Sequence, residues 1–386
     1  MGKKLLVLPL LQIKSGHHQA ADALIEYTNL IDPAIECEKI DILHYSYGKM
    51  EAVVSSVYLK WIHYLPFAYS WIYRKSCGNF QRARRYRLYE LLFLRNMQKL
   101  IREKRPDYIF CTHALPSYLL GQLKSRGLLN IPVINVYTDY FINDVWGRQG
   151  IDYHLVPDSQ VKQWLTERAV PEERIIVTGI PIHPEFAHSD PNQERSNPEL
   201  SVLITGGNLG TGAIKSIVKH IGKTGNIHYI VLCGKNNALY RQLQKRKHPR
   251  VAPMPYIESK EEMNNLYNRI DAIVTKPGGV TISECLYKKI PVFVYHALPG
   301  QEEINLQRLL SQQLIFHLRG RKLKDIENRL IAMWQDEQSL QRMKQNMDQY
   351  CQQLSDVTSS LRRVLEPSHS RTDTMLALPI DPIHQN

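Results

Sequence analysis

Along most of this chain, short β-branched apolar runs with no polar alternation recur, each separated from the next by a stretch of helical periodicity. The runs are LLVLPL (5–10), YIFCT (108–112), PVINVYT (132–138), YHLV (153–156), IIVTG (175–179), SVLIT (201–205), YIVLCG (229–234), DAIVT (271–275) and PVFVY (291–295). A strand that is apolar on both sides must be covered on both sides, which requires a parallel sheet with helices on each face. The pattern therefore predicts an α/β protein throughout.

The 386 residues are comfortable for two domains. Pro181 to Leu200, PIHPEFAHSDPNQERSNPEL, holds four prolines and no periodicity, and reads as a linker. The halves on either side begin alike, each with a strand, a small-residue loop and a helix. We expect an N-terminal Rossmann-like domain over 1–180, the linker over 181–200 and a second Rossmann-like domain over 201–322. Helices follow over 323–365, and the tail 366–386 has the composition of a disordered segment. Two such domains facing each other place a ligand beyond the carboxyl ends of both sheets.

The second half carries three loops of that kind. TGGNLGTG, with Gly206 and Gly207, joins a strand to a helix. It is not GxGxxG, and no Walker lysine follows, but its glycines let backbone amides approach an anion. TKPGGVTISEC (275–285) also follows a strand and opens a helix. It offers Lys276, the amides around Gly278 and Gly279, and a carboxylate at Glu284 placed to take ribose hydroxyls. HALPGQEEINLQ brings Gln301, Glu302 and Asn305 to a helix start, a set suited to a polyhydroxylated group. Diphosphate, ribose and hexose would each have a loop, as in a nucleotide-sugar site.

TKPGGVTISE, the downstream PGQE..N, CGKN at 233–236 and the N-terminal GHHQAA together resemble the processive diacylglycerol glucosyltransferase and monogalactosyldiacylglycerol synthase family. These are GT-B enzymes related to the glycosyltransferase that acts on lipid I, and the resemblance spans roughly residues 3 to 350. It implies a UDP-sugar donor in the C-terminal domain, a lipid acceptor at the N-terminal domain and inversion at the anomeric carbon. By that match Gly279, Val280 and Thr281 lie along the diphosphate, Glu284 on the ribose, Gln301 with Glu302 on the hexose, and Cys233 with Gly234 near the uracil.

Inverting transfer needs a base for the acceptor hydroxyl and stabilisation of the departing UDP. The candidate bases are His17, His18, His113 and Asp139. The resemblance favours His17, with Asp139 in YTDYFINDVW able to take the proton or orient a base, and His18 as a bystander. No DxD metal handle is present, so neither a metal nor another cofactor is expected. Two residues depart from the family: Lys14 replaces a customary glycine and Asn143 a customary histidine. They keep open the alternative of a catalytically weak binder of UDP-sugar and membranes; a UDP-sugar epimerase on the same fold is a second alternative.

The net charge of +12 points to an anionic partner. Between Lys60 and Arg105 twelve Lys or Arg stand against Glu90 and Glu103 alone, interleaved with aromatics. Such a mixture suits the headgroup region of an anionic membrane. Trp61, Phe67, Trp71, Arg82, Arg84 and Arg85 are the expected contacts there. Val53 to Tyr73 contains Lys60, His63 and Pro66, too polar for a lone span. Its bulk argues against single-stranded nucleic acid. Six scattered cysteines without CxxC spacing, and no signal peptide, fit reduced thiols in the cytosol. The expected partners are UDP-glucose or UDP-galactose, a diacylglycerol-type lipid and an anionic membrane surface, met by a cytoplasmic, peripherally bound protein.

Overall fold

A computed structural model describes residues 2–10, 15–48, 86–187, 200–207, 214–318 and 326–366. In the first half, strands β1 (Lys4–Leu8), β2 (Glu36–Lys39), β3 (Tyr108–Cys111), β4 (Val133–Val136), β5 (Tyr153–Val156) and β6 (Ile175–Val177) form one sheet. Its order is β2-β1-β3-β4-β5-β6, and every pairing is parallel. The helices around it are α1 (Gly16–Ile31), α2 (Ile42–Tyr47), α3 (Arg87–Lys104), α4 (Ala114–Ser125) and α5 (Ser159–Thr166).

The second sheet comprises β7 (Leu200–Thr205), β8 (Ile227–Leu232), β9 (Val251–Met254), β10 (Ala272–Thr275), β11 (Val292–Val294) and β12 (Phe316–His317). Its order, β12-β11-β10-β7-β8-β9, is again wholly parallel. Its helices are α6 (Ile214–Lys219), α7 (Asn237–Arg246), α8 (Lys260–Arg269), α9 (Gly279–Tyr287) and α10 (Gln301–Ser311). The chain ends its described course with α11 (Ile326–Gln335), α12 (Glu337–Gln352) and α13 (Val357–Leu365).

All nine apolar runs became strands, and β1 shows why they lack polar alternation. Leu6 and Leu8 pack with Met97 and Leu100 of α3 and Leu119 and Leu120 of α4, whereas Leu5 and Val7 pack with Leu24 of α1. Both faces are buried, so both need apolar residues. The three strands that sequence reasoning missed, β2, β9 and β12, all lie at sheet edges. An edge strand has one neighbour and a partly open flank, so its residues need not be apolar; ECEK in β2 is exposed or half-buried throughout.

The C-terminal helices do not stay with the second domain. α12 packs on α9, and Tyr350 donates its hydroxyl to the carbonyl of Pro157 at 2.8 Å. Ser355 N–H then reaches the carbonyl of Val177 at 2.7 Å, and α13 lies against α1. There Val357, Leu361, Val364 and Leu365 complete one face of the first sheet. Of the expected linker, Pro184–Ala187 forms a 3-10 turn with Phe186 buried, and 188–199 lie outside the described residues.

Each sheet reverses its winding direction once, between β1 and β3 in the first and between β7 and β10 in the second. At such a switch point the adjacent loops diverge and leave a crevice for a ligand.

Candidate active site

The loops of the two switch points face one another across a cleft of about 340 Å³. The N-terminal wall is Ser15, Gly16, His17, Gln19, Thr138 and Asp139. The C-terminal wall holds Gly206, Gly207, Lys276, Gly278, Gly279, Val280, Thr281, Gln301, Glu302 and Asn305, with Thr275.

His17 sits in the first turn of α1. Its Nδ1 lies 2.9 Å from the carbonyl oxygen of Thr112 and 2.7 Å from Thr138 Oγ1. A carbonyl can only accept, so Nδ1 carries the hydrogen and the lone pair of the neutral ring is on Nε2. Burial pulls the His17 pKa below the usual imidazole value, while Asp139 and the Thr112 carbonyl pull it back up. His113 meets the His17 ring edge-on at 4.8 Å. Its Nδ1 accepts the Leu115 N–H at 3.1 Å and caps α4, and burial holds it well below the usual value. His18 lies 3.4 Å from Ser15 Oγ and is not on the cleft wall.

Asp139 lies early in the loop after β4. Its carboxylate accepts from Gln301 Nε2 and, at 2.8 Å, from Asn305 Nδ2, so residues of both domains meet on it. Burial raises its pKa, with His17 and the two amides opposing. On the other side, α9 starts at Gly279 after an extended N-cap, Gly278. The first N–H groups of a helix have no partner within it and present a partial positive charge. Lys276 stands beside them, 3.2 Å from Glu302 Oε1, and Glu302 Oε2 accepts the Leu298 N–H at 2.7 Å. Gly207 adopts φ +78°, a conformation costly for any residue with a Cβ. The arrangement sets the neutral imidazole of His17 on one side of the cleft against the N-terminus of α9 on the other.

Residues 17–182 match the family Monogalactosyldiacylglycerol (MGDG) synthase, and residues 201–361 match the Glycosyltransferase family 28 C-terminal domain. An uncharacterized glycosyltransferase of Bacillus subtilis (strain 168), YkoN, is 43% identical over 366 residues, 94% of this chain and 97% of that protein. The chain belongs to this family of glycosyltransferases. The processive diacylglycerol beta-glucosyltransferase of the same strain is 26% identical over 353 residues, 86% of this chain and 87% of its own. Among solved structures, MurG of Acinetobacter baumannii aligns with a TM-score of 0.60 at 14% identity, covering 94% of this chain and 98% of that one. The UDP co-structure of S. aureus MnaA aligns at 0.57 and 14% identity, over 93% and 94%. The fold is GT-B.

Not every expected site residue of this glycosyltransferase reaches the cleft. Glu284 is buried one turn into α9, where it accepts the Tyr267 hydroxyl at 2.8 Å, and burial raises its pKa. Cys233 is buried just after β8, and Gly234 beside it takes φ +56°. Neither lies on the cleft wall. Asn143 is also away from it: its Oδ1 accepts the Val145 N–H at 3.0 Å and shapes the local turn. Lys14 and the membrane candidates Trp61, Phe67, Trp71, Arg82, Arg84 and Arg85 fall outside the described residues.

Thr138 and Tyr140 were missed. Thr138 orients His17. Ser283, whose hydroxyl in TKPGGVTISEC was expected to serve the ligand, instead shares a hydrogen bond with Tyr140 at 2.8 Å and joins the domains. Thr138 had one visible signal, its place between a strand and Asp139; Tyr140 had none.

Proposed function

We propose that the enzyme transfers a hexose from UDP-glucose or UDP-galactose to a diacylglycerol-type lipid, with inversion and without a metal, at an anionic membrane surface. The observation that carries this reading is the His17 tautomer, whose Nε2 lone pair faces the cleft opposite the N-terminus of α9. In the reading, the lipid hydroxyl gives its proton to His17 Nε2 as its oxygen attacks the anomeric carbon. The bond to the β-phosphate oxygen breaks, and UDP leaves against the α9 amides and Lys276. Gly206 and Gly207 lie beside the diphosphate, Gln301 and Glu302 reach the hexose, and Cys233 and Gly234 border the base. Glu284 meets the ribose after turning from Tyr267. The names of the diacylglycerol-directed relatives support the acceptor, and the UDP bound to a protein of the same fold supports the donor.

The membrane part rests on the basic, aromatic stretch between Lys60 and Arg105. It is also supported by Leu88 and Leu91, which stand 63% and 79% exposed on α3. No helix among the described residues is long and apolar enough to cross a bilayer. Purified protein would be incubated with labelled UDP-hexose, chelator and vesicles of diacylglycerol with anionic lipid, and the lipids analysed by mass spectrometry. A glycolipid that disappears with His17→Ala, while UDP binding persists, is the expected result. UDP release or sugar epimerisation without a glycolipid, for either sugar, would overturn the reading.

A further inference from the structure

The loop from Thr138 to Tyr140 belongs to the N-terminal domain but is gripped by the C-terminal one at every residue. The carbonyl oxygen of Thr138 lies where a Cβ on residue 279 would come within 2.0 Å, so only glycine allows the approach. Asp139 accepts from Gln301 and Asn305. Tyr140, fully buried, donates its backbone N–H to Asn305 Oδ1 at 2.9 Å and shares a hydrogen bond with Ser283 Oγ at 2.8 Å.

Asn305 is the centre of this grip. It is 1% exposed, and its Nδ2 donates to Asp139 Oδ1 at 2.8 Å and to the carbonyl of Pro277 at 3.2 Å. Both amide hydrogens are therefore engaged within the protein, which leaves none for a sugar hydroxyl. The loop it holds also presents Thr138 Oγ1 to His17 Nδ1. The orientation of a group in one domain thus depends on a side chain of the other.

We infer that Asn305 is a positioning residue that couples domain closure to the base: by clamping Asp139 and Tyr140 it keeps Thr138 Oγ1 on His17 Nδ1 as a second partner beside the Thr112 carbonyl, so the ring is held in its reactive orientation only when the donor domain is closed. The inference rests on the reading of His17 as the base. It separates Asn305 from Gln301 and Glu302, which have the sugar to recognise. The other titratable or charged groups around His17 and Asp139 are His113, which faces His17 and in turn His18, and Glu302, which faces Asp139 and carries Lys276.

Asn305→Ala in the full chain is expected to lower kcat about a hundredfold, the scale of a misplaced catalytic group. Donor KM should stay within about twofold, because no sugar contact is lost. Nitrogen NMR of histidine-labelled protein should show the Nδ1–H tautomer in both, with the His17 Nδ1 resonance shifted and broadened in the variant as the Thr138 contact is lost. This signal needs no acceptor. A response to Asn305→Ala in a wild-type protein that forms no glycolipid would support the coupling while removing the proposed function. Unchanged His17 signals, or a loss confined to donor KM, would overturn the coupling.

Asn305→Asp guards against a variant that merely unfolds. At neutral pH the introduced carboxylate repels Asp139 and cannot donate to it. On acidification the buried pair takes up a shared proton and the donor is restored. The activity ratio of Asn305→Asp to wild type should therefore rise as pH falls, and a constant ratio would overturn the inference.

Discussion

At the scale of the residue, the proposed reaction rests on one imidazole, and its surroundings set its pH range. Only the neutral form of His17 could take the acceptor's proton in the proposed reaction, and burial favours that form by lowering its pKa. Activity should be level at and above the ordinary imidazole pKa of about 6.5. It should fall only as pH drops further, through a value belonging to His17 and Asp139 together. A kcat profile with its acidic limb below that ordinary value is the expected measurement; a limb above it would mean that the base is another group. His17 and Asp139 were both legible as cleft residues, because each lies in the segment that follows the carboxyl end of a strand, and for His17 the family resemblance added to that signal. Their partners were not. Thr138 is 121 residues from His17, and Asn305 is 166 from Asp139. No local pattern records a hydrogen bond over that span.

At the scale of the element, the start of α9 illustrates two kinds of glycine. A Cβ on Gly278 would meet nothing within 4 Å, whereas one on Gly279 would strike Thr138 O at 2.0 Å and Ile180 Cδ1 at 2.9 Å. Both residues read alike in TKPGGVTISE, as loop glycines freeing amides for an anion. Gly279→Ala should cost about 1–3 kcal/mol by overpacking and push α9 away from the N-terminal loop. Thermal unfolding should show a clear drop for Gly279→Ala and almost none for Gly278→Ala. Equal effects would mean that the domain contact at Gly279 is dispensable. The strands divide in the same way. Runs buried on both faces announced themselves, while ECEK, VAPM and FH became strands only because an apolar neighbour offered an edge to pair with.

At the scale of the whole molecule, the two domains are tied by the cleft loops and by the C-terminal helices crossing back. Leu361 is fully buried on α13 against the first sheet, although it lies 161 positions beyond the start of the second. Leu361→Ala should therefore cost about 2–5 kcal/mol, and limited proteolysis should reveal the loosening in the N-terminal domain. New cleavage confined to the C-terminal domain would contradict the crossing. Periodicity and loop composition were enough to announce two parallel α/β domains, nine of their twelve described strands and the loops bearing His17, Asp139 and the glycines. Those signals are local: burial on both faces and a turn's need for small residues write themselves into neighbouring positions. Three of the four edge strands, the return of α13, the burial of Glu284 and the Asn305 clamp arose only when the chain closed on itself. Each is a contact between distant segments, satisfied by whichever side chain the fold brings near, and residue order along the chain does not encode that proximity.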